Sequence, residues 1–294
     1  TLPIDVTYVY NLVTNSACTE TQIVKVTVNP LPSITSLYDR PAICSGELFT
    51  YFPTADITGT IFKWTRLVQA SISNIAATGT YNPSERLVNT SNDMVVVEYN
   101  YTLTANGCSS TQSVTVPVKA IPTIANQSII ACSNSAFTLP TITTPAGTEY
   151  IWSTPVYIPN GSLTGGVAET FYQPTFSQTL TSQTLVSALA NYTITPKAGA
   201  CIGVPFKLAV TLRPLPVVAN QTLTNICSGS PFNFVPEIAP TGTTYTWSNP
   251  ISTPSNSLTG GSAQSVGQAN ISQTLSSTNN ILNTATYIIT PSTA

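Results

Sequence analysis

Apolar side chains recur at every second position over several stretches of this chain, a period that belongs to strands and not to helices. Val6, Tyr8, Tyr10 and Leu12 share one face. After a turn carrying Asn15 and Cys18, Val24, Val26 and Val28 alternate again, so residues 1–29 are predicted to form a hairpin. Further on, Leu48–Phe52 and Ile61–Leu67 read as strands around a turn with Asp56 and Gly59. Residues 71–92 are less regular. Met94–Thr104 then alternates strongly, with Val95, Val97, Tyr99, Tyr101 and Leu103 facing one way. It leads through Asn106-Gly107-Cys108 to a strand at Val114–Val118. Asn-Gly between alternating strands is a strong hairpin signal, because both turn positions need positive φ.

The pattern repeats. Cys44 and Trp64, Cys132 and Trp152, and Cys227 and Trp247 are each twenty residues apart, and these are all the tryptophans in the chain. The flanking text repeats with them: ICSGELFTYFP, ACSNSAFTLP and ICSGSPFNFVP lead in, and GTIFKW, GTEYIW and GTTYTW lead out. Proline-bearing linkers at Pro30–Pro32, Ala120–Pro122 and Pro214–Pro216 mark boundaries, since proline cannot donate to a sheet ladder and holds its predecessor extended. The expected division is the end of a module at 1–29, whole modules at 31–120 and 121–215, and a module at 216–294 lacking its last strand. The second and third are closer kin. Asn160–Gly166 matches Ser255–Gly261 (SLTGG), Phe176–Leu180 matches Ile271–Leu275 (SQTL), and Asn191–Pro196 matches Thr286–Pro291.

About seven short strands per module, joined by hairpins and without helical periodicity, predict all-β sandwiches of immunoglobulin-like build. Trp64, Trp152 and Trp247 then fall on the third strand as core plugs, and Tyr101, Tyr192 and Tyr287 are expected in the core or at a corner of it. Linkers of two or three residues leave little slack, so the modules are expected to form an extended rod.

Composition narrows the chemistry. Charged residues make up 7% of the chain, the formal net charge is −2, and Lys and Arg are scattered singly, which gives no basic patch for a nucleic acid. No apolar run reaches the length of a membrane helix. With no histidine, imidazole-based triads and His-containing metal sites are excluded. Paired carboxylates do not recur between modules: Glu149 and Glu169 align with Thr244 and about Ser265. Replacing Glu149, Glu169 and Glu237 by Gln is therefore expected to leave function unchanged. Asp5, Asp39, Asp56 and Asp93 stand apart, so no calcium site is expected, and neither is a cofactor. Lys119 and Lys207 lie near final strands but Lys25 is out of step, which argues against an isopeptide staple. The seven Asn-x-Ser/Thr triplets, at Asn89, Asn100, Asn126, Asn160, Asn191, Asn220 and Asn270, arise readily in a chain this rich in those residues.

The six cysteines point to oxidising, extracellular surroundings. Two regular pairings compete. One runs within modules, Cys44 with Cys108 and Cys132 with Cys201; the other crosses the linkers, Cys18 with Cys44, Cys108 with Cys132, and Cys201 with Cys227. The second asks a turn to reach across a whole strand and a linker, whereas a disulfide needs Cα atoms within about 7 Å. Pairing within modules is preferred, provided an even number of strands separates each pair.

The succession of Cys-Ser-Gly, Gly-Thr-x-Tyr-x-Trp, Leu-Thr-Gly-Gly, Ser-Gln-Thr-Leu, Tyr-x-Ile-Thr-Pro and a Val-rich strand ending in Pro-Leu-Pro resembles the PKD-like or Ig-like repeats of very large Bacteroidota surface proteins. These include gliding-motility adhesins exported by type IX secretion. The likeness covers nearly all of 121–294 and, more loosely, 1–120. It implies a non-catalytic structural or adhesive stalk segment of a secreted cell-surface protein. Its expected partners are the neighbouring modules, with surface polysaccharide or other cell-surface proteins as further candidates. The alternatives are a carbohydrate-binding module, or a spacer joined to a catalytic domain. Exposure of the three tryptophans separates a binding module from a stalk.

Overall fold

The computed structural model describes residues 2–13, 15, 19–224, 226–236 and 239–293, and every regular element in it is a strand. The chain divides into two compact units: Thr1–Thr123 with Thr143–Thr148 and Pro196–Val204, and Ile124–Ile142 with Glu149–Thr195 and Pro205–Ala294.

In the first unit, β1 (Ile4–Val13) and β2 (Thr19–Val28) form a two-stranded antiparallel hairpin with Val6 opposite Val26 and Tyr8 opposite Val24. Its alternation is the one expected, yet Tyr8 is 50% exposed and Val26 44%, because among the described residues no second sheet covers the apolar face. The sandwich that follows comprises β3 (Ile43–Cys44), β4 (Leu48–Thr50), β5 (Ile61–Arg66), β6 (Ala77–Thr80), β7 (Ser84–Arg86), β8 (Val95–Ala105) and β9 (Cys108–Lys119). One sheet runs β3-β9-β8-β5-β6, and β4 pairs with β7. The segment whose sequence is irregular thus supplies two short strands. Val97, Tyr99, Tyr101, Leu103, Val114, Val116 and Val118 are fully buried on one face. Asn106 and Gly107, at φ 50° and 79°, make the two-residue turn between β8 and β9.

The second sandwich comprises β10 (Gln127–Cys132), β11 (Ala136–Thr138), β12 (Thr148–Trp152), β13 (Val156–Ile158), β14 (Leu163–Thr164), β15 (Glu169–Gln173), β16 (Ser177–Thr179), β17 (Thr181–Ser182), β18 (Ala188–Ala198), β19 (Cys201–Ile202) and β20 (Phe206–Arg213). Its main sheet runs β10-β20-β18-β12-β15. The first strand again lies parallel to the last, as β3 does to β9. Ala190, Tyr192, Ile194, Leu208, Val210 and Leu212 are its fully buried stripe.

The third sandwich comprises β21 (Pro231–Phe234), β22 (Thr243–Trp247), β23 (Ile251–Thr253), β24 (Leu258–Thr259), β25 (Gln264–Gln268), β26 (Ile271–Thr274), β27 (Ser276–Ser277), β28 (Thr284–Thr286) and β29 (Ile289–Thr293). The sheet β25-β22-β29 repeats the second sandwich's β15-β12-β18, down to the register shift after the tyrosine two residues before each Trp. Among its described residues the core is built on Tyr245, Trp247 and Ile271.

Candidate functional site

The residues that the repeat spells out most insistently hold the sandwiches together. Trp64, Trp152 and Trp247 are 7%, 7% and 6% exposed. In the second and third sandwiches the indole Nε1 donates to a backbone carbonyl, Trp152 to Val167 at 3.0 Å and Trp247 to Ser262 at 3.1 Å. The glutamine of SQTL secures that same residue: Val167 N donates to Gln178 Oε1 at 3.0 Å and Ser262 N to Gln273 Oε1 at 2.9 Å. The first of the paired glycines sits at φ 96° (Gly165) and 88° (Gly260). A Cβ there would also come within 2.8 Å and 2.3 Å of the carbonyls of Thr179 and Thr274. SLTGG and SQTL are therefore one device. The first sandwich lacks it, and there the face of the Trp64 indole lies where a Cβ on Gly79 would stand, 2.7 Å from Cζ2, while Trp64 Nε1 has no partner.

The serine after each lead-in cysteine has a shared task that sequence reasoning missed. Its Oγ accepts a backbone N–H from the strand or loop crossing it: Asn89 on Ser45 at 2.9 Å, Ser182 on Ser133 at 2.9 Å, Ser277 on Ser228 at 2.8 Å. Tyr101 and Tyr192 are fully buried and Tyr287 is half-buried. Burial pushes all three phenols upward in pKa, the direction that keeps them neutral.

A charged network lies inside the first sandwich. Arg66, 2% exposed, makes a two-pronged contact with Glu85, Nε to Oε2 at 2.9 Å and Nη2 to Oε1 at 2.8 Å, and Nη2 also donates to the Ile75 carbonyl at 2.6 Å. Tyr99 Oη donates to Glu85 Oε2 at 2.7 Å. Burial opposes the Glu85 charge, but the hydrogen bonds from Arg66 and Tyr99 outweigh it and hold the carboxyl below its ordinary range. Burial and the adjacent carboxylate drive Tyr99 the other way. Nothing in the sequence links these three residues: Glu85 stands in the stretch without clear period.

The cysteines pair in neither of the two regular schemes. Cys44 is bonded to Cys201, with Cα atoms 5.6 Å apart, and Cys108, Cys132 and Cys227 are free; Cys18 lies outside the described residues. The expected pair Cys44 with Cys108 fails because β3 runs parallel to β9 and sets Cys44 opposite Lys119, at the far end of the strand that begins with Cys108. Eleven residues of strand separate those ends by about 36 Å. Cys132 with Cys201 fails alike: Cys132 lies opposite Arg213, near the Ala188 end of β18, and Cys201 opposite Ala198 at the other end.

Compared with models of known families, residues 41–123 and 129–216 each match the PKD-like domain. The chain belongs to the PKD-like domain family. Cys44 falls in the first of these PKD-like repeats and Cys201 in the second, so the disulfide joins two family units. Among solved structures, the chain is similar to the two immunoglobulin domains of DIP-gamma, at 11% identity and TM-score 0.34, over 63% of this chain and 98% of that one. It is similar to the titin I-band fragment I67–I69, at 13% identity and TM-score 0.35, over 74% and 78%. It is also similar to Sidekick-1 immunoglobulin domains 1–5, at 9% identity and TM-score 0.31, over 87% and 58%. No curated protein matches.

Opposite Trp247, where Glu169 stands opposite Trp152, the register places Gln264 and not Ser265. Glu169 Oε1 accepts the Phe171 N–H at 3.0 Å, and Glu237 lies outside the described residues. Lys25 pairs with Asp5 at 2.7 Å across the first hairpin. Among the described residues no three Cys, Asp or Glu side chains gather at metal-binding distance. A cleft of about 240 Å³ in the second unit is lined by Leu185, Arg213, Pro240, Thr293 and neighbours, with a single charged group.

Proposed function

We propose that these tandem PKD-like repeats form a structural or adhesive stalk segment of a large secreted cell-surface protein, an extended rod that holds a tip or binding surface away from the cell. The burial of Trp64, Trp152 and Trp247 carries this reading, because a carbohydrate-binding module presents such rings to solvent for stacking, and here they fill cores. The Cys44–Cys201 bond supports the location, since disulfides persist in oxidising compartments. Family and motif support a scaffold: the recurring residues are spent on turns, clamps and cores, and PKD-like domains are typically non-catalytic. Small-angle scattering of the whole chain tests it. The expected curve is that of a rod, with a cross-section of one sandwich; a compact globule refutes the stalk.

A further inference from the structure

Four of the five described cysteines, Cys44, Cys108, Cys132 and Cys201, occupy two kinds of place. The first lies on the opening strand of a repeat, beside the end of its last strand. Cys44 is opposite Lys119 and Cys132 opposite Arg213, both in parallel register. The next residue continues each ladder, Ser45 N donating to Lys119 O at 2.9 Å and Ser133 N to Arg213 O at 2.8 Å. The second place is the far side of the tight turn between a repeat's two longest strands. Cys108 is opposite Ala105 and Cys201 opposite Ala198. Cys44–Cys201 joins a place of the first kind to one of the second kind in the following repeat.

Cys108 shows what an unbonded hairpin cysteine faces. Its Sγ lies 3.9 Å from the carbonyl of Asn29, and Asn29 Nδ2 donates to the Asn106 carbonyl of the same turn at 3.1 Å. Asn29 is to the β1–β2 hairpin what Lys119 is to β8–β9: Ile4 opposes Val28 and Val6 opposes Val26, as Val95 opposes Val118 and Val97 opposes Val116. A strand pairing parallel with β2 as β3 pairs with β9 would bring its own cysteine beside Asn29, against Cys108. A separate observation points to the same occupant. Tyr8, Val24 and Val26 are 50%, 39% and 44% exposed, whereas their counterparts Tyr99, Val114 and Val116 are 0% exposed under the rest of a sandwich.

We infer that Cys44–Cys201 is one instance of a rule in which the opening-strand cysteine of each PKD-like repeat bonds to the hairpin cysteine of the next. Cys108 and Cys132 are the two halves of that same bond: Cys108 takes a cysteine on a strand of a repeat that completes β1–β2, and Cys132 takes a hairpin cysteine following β29. Each bond forms by two exchanges with a disulfide oxidant such as oxidised glutathione. One thiolate displaces a glutathione thiol to give a mixed disulfide, and the partner thiolate displaces the other. Two electrons and two protons leave the pair and appear on two glutathione thiols.

The test extends the full chain by the residues that follow the corresponding point of the second repeat. Ala294→Gly, followed by a copy of residues 200–216, gives the third repeat a hairpin cysteine and a last strand. In a glutathione redox buffer, peptide mapping without reduction should find the added cysteine joined to Cys132, and iodoacetamide labelling of Cys132 should fall by about tenfold or more. A bond from the added cysteine to Cys227, in its own repeat, overturns the rule, and so does an unchanged Cys132. Cys201→Ser in the unextended chain is the second arm: Cys44 should become alkylatable and Cys108 stay so, and a Cys44–Cys108 bond overturns the rule independently of whether the extension folds.

Discussion

At the scale of single residues, the most demanding group is Arg66, a guanidinium 2% exposed inside the first sandwich and paired with the half-buried Glu85. Removing one partner of a buried pair leaves the other's charge desolvated, which costs roughly 3–5 kcal/mol. Arg66→Ala should therefore unfold the first sandwich at markedly lower urea, whereas Glu149→Gln on the half-buried β12 should shift the midpoint little. The pH dependence has a definite sign. The folded-state pKa of Glu85 lies below its ordinary value of 4.5, so its stabilising contribution is complete above that pH and is lost as pH falls below it through the folded value. Urea midpoints of the wild type and Glu85→Gln should differ at pH 7, and the gap should narrow as pH falls below 4.5. A gap that persists unchanged at pH 3 contradicts an ionised Glu85. The tryptophans at their fixed spacing were legible in the sequence; the Arg66–Glu85–Tyr99 network was not, because its members come from three strands whose pairing only the fold decides.

Among the elements, the long hairpins were the plainest to read. Val95, Val97, Tyr99, Tyr101 and Leu103 share a face because strand side chains alternate, and Asn106-Gly107 closes the hairpin because both positions take positive φ. The short strands β6 and β7 were not readable, for three or four residues offer too few positions to show a period. The parallel course of β3 beside β9 and of β10 beside β20 was also hidden, and it is what defeated the within-module cysteine pairing. Strand order is a long-range property, absent from local alternation. SLTGG and SQTL give this scale its prediction. Gly165→Ala puts a Cβ 2.8 Å from the Thr179 carbonyl on a residue at φ 96°, so it should destabilise the second sandwich by about 1–3 kcal/mol. Gly147→Ala is the comparison, with positive φ but nothing within 4 Å of the added Cβ, and its loss in thermal midpoint should be the smaller of the two. Equal losses would show that backbone strain alone, and not the close approach, makes Gly165 necessary.

At the scale of the whole molecule, the Cys44–Cys201 bond spans 157 residues and so encloses most of two PKD-like repeats. In the chain-entropy model a loop of that length stabilises by about 5 kcal/mol. Loops from Cys44 to Cys108 or from Cys132 to Cys201 would enclose less than half as many residues. Pulling single molecules by their ends reads this difference directly, because residues inside a disulfide loop cannot extend. With the free thiols alkylated, unfolding the oxidised chain and then adding reductant should release about 55 nm of further extension, at ~3.5 Å per residue. Releases of about 22–25 nm, as loops closed within single repeats would give, or no release at all, would contradict the central claim that this chain is stapled from one repeat to the next.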